Sequence, residues 1–448
     1  MKRKILILFS LTILFLLSLV TMGYGQENVK QSCITAKCHV NFGKAKFVHG
    51  PVAVGECISC HQLLPKEDHK FQPIKNVEEQ CNKCHEPMAK KGTVHAPVAK
   101  GECAKCHDSH QSDRQFQLKK SSTSDLCFSC HPKNLITKKF THGPAADGEC
   151  LSCHLPHMSE KPQLLTKASN DLCFQCHTDF QESFAAAKNI HKPAGENCAQ
   201  CHNPHSADAR FLLASNTPDQ CYTCHAAIQT SATKSTVKHV ALDEEKKCLA
   251  CHSPHTANHI KQLTEEPMAL CLKCHDKSLV EKGNKLSDMK TLFDKNINWH
   301  GPIRERDCSG CHEVHGSQNF RLLTQTYPPE FYTPYASEKY ELCFNCHQNT
   351  LAQDPTTMTL TGFRDGSRNL HYLHVNKKVK GRTCRACHET HASNNDRHVR
   401  ELVPFGQWML PVKFEKEHNG GKCSPGCHAP FSYKRNKSET RIEKTDEE

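Results

Sequence analysis

The chain has 448 residues, a formal net charge of +11 and a mean hydropathy of −0.64. Only 37% of residues are hydrophobic, and that figure includes 30 cysteines, so too few aliphatic side chains remain to fill the core of an ordinary globular protein of this length. Beyond the first 25 residues, no stretch is apolar enough to span a bilayer.

Residues 1–25 read as a signal peptide. Lys2, Arg3 and Lys4 precede an apolar run from Ile5 to Val20, and Gly23 and Gly25 are placed for cleavage after Gly25. The alternative is retention of the run as a membrane anchor, since its length is close to the lower limit for a span.

From residue 33 onward every cysteine belongs to a close pair, and a histidine follows each second member. The CxxCH sets are Cys57, Cys60 and His61; Cys81, Cys84 and His85; Cys103, Cys106 and His107; Cys127, Cys130 and His131; and Cys150, Cys153 and His154. They continue with Cys173, Cys176 and His177; Cys198, Cys201 and His202; Cys221, Cys224 and His225; Cys248, Cys251 and His252; and Cys271, Cys274 and His275. Cys308, Cys311 and His312, then Cys343, Cys346 and His347, and Cys384, Cys387 and His388 complete the regular sets. Wider pairs stand at the two ends, Cys33 and Cys38 before His39, and Cys423 and Cys427 before His428. No cysteine is left over.

This is the signature of covalent haem c. Two thiols about a helical turn apart add to the two vinyl groups of one porphyrin, and the adjacent histidine reaches its iron. The pattern implies about fifteen haems. Zinc ribbons need two cysteine pairs per metal and no histidine at fixed offset. Thioredoxin-like sites place a single CxxC in an α/β domain. A disulfide framework, the usual reading of cysteine-rich exported chains, would not require a histidine after every pair.

Methionine is too scarce to supply the sixth iron ligand, with 8 in the chain and two of those in the signal peptide. Of 33 histidines, those outside the motifs fall into two positional classes. His49, His95, His142, His191, His239, His300, His374 and His418 precede a motif by a few residues, often before Gly-Pro. His110, His157, His205, His255, His315 and His391 stand three residues after a motif histidine, and His69 takes that place in a longer loop. These fifteen are the expected distal ligands, making every haem bis-histidine. His259, His371 and His398 are then surface residues.

Alternate motifs differ, so the repeat carries two haems. One half reads His-Gly-Pro, a loop and GECxxCHxPH; the other reads Leu-Leu, a polar stretch and DLCFxCH. The expected fold is mostly irregular chain with short α-helices, an elongated multihaem array organised by its haems. SSTSDLC, ASNDLC and NTPDQC place capping residues before attachment sites. Longer helices are expected near Phe180–Ile190 and Leu286–Asn296. Residues 26–276 form the tight array of about 11 haems, 277–434 a looser C-terminal region of about 4, and 435–448 a polar tail.

The paired GExCxxCHxPH and LCxxCH units, over roughly residues 47–390, resemble the doubled-CXXCH multihaem cytochromes c, including periplasmic decahaem conduits held in outer-membrane porins. The resemblance implies covalent haems, bis-histidine ligation and electron exchange with redox partners. Those partners would be other cytochromes or quinol-linked donors, and an outer-membrane β-barrel. The mature protein is expected in the periplasm or at the outer surface. Propionates on fifteen haems offset the positive charge, so nucleic acid is not an expected partner. The rival readings are a nitrite- or hydroxylamine-type oxidoreductase, and a subunit of an extracellular cytochrome filament. No CxxCK motif supports the first, and histidines suffice for every iron. An electron-transfer protein without a catalytic haem is therefore favoured.

Overall fold

A computed structural model describes residues 33–34, 38–65, 69–88, 91–281 and 284–437. The expected signal peptide and the tail beyond 437 lie outside them. The chain divides into two compact units. One extends to His131 and includes Pro156–Met158; the other comprises Pro132–Leu155 and the chain from Ser159 onward.

Secondary structure is sparse, with helices of 4 to 9 residues, 3₁₀ turns and short strands joined by irregular chain. One segment shows the recurring order. A strand at Asn189–Ile190 leads to His191, and the helix Lys192–Glu196 follows with Pro193 in its first turn. Proline is accommodated there because the N–H it lacks would have no intrahelical partner. A 3₁₀ turn at Cys198–Gln200 carries the first thiol. The strand Ser206–Ala207, a 3₁₀ turn at Arg210–Leu212 and the helix Asp219–Tyr222 complete the repeat. In an earlier repeat the same first helix ends at Gly101, whose φ of +67° stops it. A Cβ at Gly101 would also lie 2.8 Å from that of Glu78.

The expected caps are found in part. Ser122 accepts from the Asp125 N–H at 3.0 Å and starts the helix Thr123–Cys127. The helices Ser169–Cys173 and Asp219–Tyr222 have no side-chain cap, Ser169 being bonded instead to Asn197 and Pro218 occupying the cap position. The longer helices fall at Thr178–Ala186 and Met289–Lys295, the second capped by Asp288.

Two-residue strands join each repeat to the next. Phe47–Val48 pairs antiparallel with Gln111–Ser112, Phe140–Thr141 with Ser206–Ala207, Asn189–Ile190 with Thr256–Ala257, and Asn298–Trp299 with Ala392–Ser393. Each pairing sets a histidine at the start of one repeat beside a histidine in the middle of the next.

Among the described residues 14 apolar side chains are buried, too few to hold a chain of this length without help. Two clusters stand out. Met268, Phe293, Ile303 and Ala392 form one, and Leu323, Tyr327 and Tyr340 the other. Both draw on the part of the chain where motif spacing widens, so the additional residues there build apolar packing. Elsewhere covalent haem must supply the missing interior, coupling folding to attachment as structural metals do. Protein made without the attachment machinery should therefore show no cooperative thermal transition by circular dichroism, whereas the haem-loaded form should melt cooperatively.

Candidate haem sites

Each of the fifteen motif histidines faces one other imidazole. In the first unit the pairs are His39 with His69, His61 with His110, His85 with His49, His107 with His157 and His131 with His95. In the second they begin with His154 and His205, His177 and His142, His202 and His255, His225 and His191, and His252 and His315. His275 and His239, His312 and His391, His347 and His300, His388 and His371, and His428 and His374 complete the set.

Ring centres are 5.9 Å apart at the closest and 6.4 Å at the widest, and no pair is tilted by more than 35°. An imidazole nitrogen binds a metal at about 2 Å with the ring centre about 1 Å further out, so two imidazoles sharing one metal have centres about 6 Å apart. The spacing fits an iron held from both faces.

The hydrogen bonds fit as well. Nδ1 of His49, His95, His142, His191 and His239 lies 2.9–3.0 Å from the carbonyl oxygens of Ser109, Pro156, Pro204, Pro254 and Val314. On the motif side, Nδ1 of His107, His154, His202, His252, His312 and His388 lies 2.7–3.0 Å from a carbonyl nine residues downstream. A carbonyl only accepts, so Nδ1 carries the proton and Nε2 offers its lone pair to a metal. Burial favours the neutral ring too, lowering the pKa of His157, His205, His255 and His275. His371 is lowered to about 3 and His374 to about 4, chiefly by burial.

The downstream carbonyls come from a strained turn. Phe116, Gln163, Phe211, Lys261, Arg321 and Arg397 all have φ between +52° and +59°. Non-glycine residues adopt this left-handed region at a cost. The strain is tolerated because the turn aims two successive carbonyls, one at the imidazole and the next at the N–H of the residue after it, as Leu212 O does for Asn203 N at 2.7 Å. The Leu-Leu signature of the sequence marks this turn in three of the six cases, at Leu164, Leu212 and Leu322.

The pairing rule is regular. A histidine before Gly-Pro, or in the equivalent place, closes the second site of its own repeat, and the histidine three residues after a motif closes the first site of the preceding repeat. The main chain locks the two together, since His49 N donates to His110 O, His142 N to His205 O and His191 N to His255 O, each at 2.9 Å. At the ends the rule gives way to local substitutes. His69, in the loop after the first CxxCH set, serves His39. The helix Leu370–Val375 carries both His371 and His374, which serve His388 and His428. Asn369 anchors that helix, accepting from the His371 N–H and donating to Leu351 and Asp354 carbonyls.

Fourteen of the fifteen distal histidines expected from sequence occupy such pairs; His418 does not. It is exposed in the turn between the strands Phe414–Glu417 and Gly420–Cys423, and its carbonyl accepts from Arg435. His371 takes the place expected of it. The available signal was the spacing of His371 and His374, three residues apart and so on one helical face. His398, read as a surface residue, packs edge-on against His300 with ring centres 5.8 Å apart.

Among the described residues no disulfide joins two cysteines, which leaves each pair available for haem attachment. First cysteines of neighbouring sites abut: the thiols of Cys173 and Cys198 hydrogen-bond, as do Cys221 and Cys248, Cys271 and Cys308, and Cys343 and Cys384. In the first unit Cys81 meets Cys103 in the same way. In each of these five couples, attachment sites consecutive in sequence are therefore adjacent in space.

Residues 49–90, 95–135, 142–182, 191–230, 239–279 and 300–352 match the family model described as the doubled CXXCH motif. The chain belongs to this family. No curated protein matches it. As a doubled-CXXCH multihaem cytochrome c it binds haem c covalently at about twelve sites, two in each matched segment, and transfers electrons. Attachment of this kind takes place after export, so the cytochrome is an exported protein. Among the described residues no helix is long and apolar enough to cross a membrane.

Each pairing can be checked by removing one ligand. His205→Ala should convert one haem, that on Cys150 and Cys153, from low-spin to high-spin in ferric electron paramagnetic resonance. His371→Ala should do the same at the Cys384 and Cys387 site, and His418→Ala should leave the spectrum unchanged. A high-spin signal from His418→Ala with none from His371→Ala would reverse the assignment.

Proposed function

We propose that this cytochrome carries fifteen haems, including those on the wide Cys33 and Cys423 motifs, and passes electrons between neighbouring haems. It would link periplasmic redox carriers to an outer-membrane or extracellular partner. The observation that carries this reading is the set of fifteen facing imidazole pairs, which includes the pairs at His39 and His428.

Haem supplies a one-electron ferric/ferrous couple when bound. The chain's own residues do the rest. Two thiols of each motif would tether the group at a fixed place, and the motif histidine and the imidazole facing it would hold its iron. Carbonyls at Nδ1 fix the ligating tautomer and raise ligand basicity, which with histidine ligation and partial exposure favours low potentials. Juxtaposed attachment sites within each unit support transfer between neighbours. A second imidazole opposite every motif histidine leaves no axial position for a substrate, which supports a carrier over an oxidoreductase.

Intact mass spectrometry of the mature protein should show the polypeptide plus fifteen haem masses. Thirteen would mean that the wide motifs are bare. Affinity capture of the exported protein should bring down an outer-membrane β-barrel; recovery with soluble cytochromes alone would favour a periplasmic shuttle.

A further inference from the structure

In the repeats that close a preceding site, two residues lie between the motif histidine and the distal one, and the chemistry of the first of them varies. It follows the motif histidine and stands beside the imidazole that closes the preceding site. Asp108, Glu313 and Glu389 are acidic at this position, whereas Leu155, Asn203 and Ser253 are not. Asp108 Oδ1 lies 3.6 Å from His110 Nδ1, Glu313 Oε1 3.6 Å from His315 Nδ1, and Glu389 Oε1 3.8 Å from His391 Nδ1. These rings face His61, His252 and His312 of other repeats.

We propose that this position sets the redox potential of the haem site it adjoins, the carboxylates of Asp108 and Glu313 holding the His61–His110 and His252–His315 sites below the equivalent sites closed by His157, His205 and His255. The inference rests on the haem electron-transfer reading. With Nε2 on iron, Nδ1 keeps its proton, and a carboxylate 3.6 Å away, too far for a hydrogen bond, polarises the ring through its charge. One-electron reduction takes one unit of positive charge from the site, so a fixed negative charge close by favours the oxidised form. Both effects lower the potential. Glu389 should act more weakly, because Arg400 Nη2 sits 3.0 Å from its other oxygen and offsets its charge.

The test uses Asp108→Asn and Glu313→Gln in the full haem-loaded protein. Asn and Gln keep the side-chain oxygen that accepts from the His110 N–H at 2.9 Å and the His315 N–H at 3.5 Å, so charge is removed while the turn is kept. Ser253→Asp places a carboxylate beside His255, whose ring faces His202. Redox-mediated optical titration supplies the electrons, and ferric electron paramagnetic resonance reports ligation. One haem's share of the amplitude should move to higher potential in Asp108→Asn and in Glu313→Gln, and one share to lower potential in Ser253→Asp, with all haems remaining low-spin. Titrations that superimpose on the parent would overturn the proposal, as would shifts that arise only with a high-spin signal. Intact mass separates that failure from loss of the underlying reading: full haem content with unmoved potentials sinks the tuning role alone.

Discussion

The structure depends on imidazoles held face to face about 6 Å apart, a distance too long for direct contact and fitted to one metal ion between them. Because a site of the first kind faces a second imidazole from the following repeat, an iron held there would also be tertiary structure. His154 and His205, or His202 and His255, join consecutive repeats much as apolar stacking joins the units of a solenoid. The two-residue strands make sense in this light. Alone they are far too short to be stable, but each needs only to bring one distal histidine against the backbone of another.

Interlocking of this kind creates a problem at the ends, where a repeat has no neighbour to close its site. The N-terminal end is closed by His69 from a loop, and the C-terminal end by the two histidines of Leu370–Val375, a helix whose leading Asn369 is fully buried. Capping by altered terminal repeats is general in repeat proteins. Here the cap would be chemical as well as steric, since a haem at an end left open would have a reactive iron.

The attachment cysteines, the motif histidines and the two-haem repeat were legible in the sequence because covalent attachment imposes a fixed local spacing. The two distal classes were legible for the same reason, since Gly-Pro after one and the offset of three in the other recur. Partner choice was not, because it depends on strand pairs tens of residues apart whose residues, such as Phe140–Thr141 and Ser206–Ala207, carry no distinctive pattern. His418 misled because it too precedes a motif, though by five residues where the others stand seven to ten away, and a β-turn carries it away from any ring. The left-handed turn at Phe211 was visible only as a Leu-Leu signature, and its counterparts at Phe116, Lys261 and Arg397 lack even that, since nothing in residue type alone announces a positive φ outside glycine.

If paired imidazoles are the framework, then no haem in the intact protein has a free axial position. Spin quantitation of the fully oxidised protein by electron paramagnetic resonance tests this most directly. The account predicts low-spin ferric signals that integrate to the whole haem content. A high-spin signal amounting to one haem or more in the unmodified protein would contradict it.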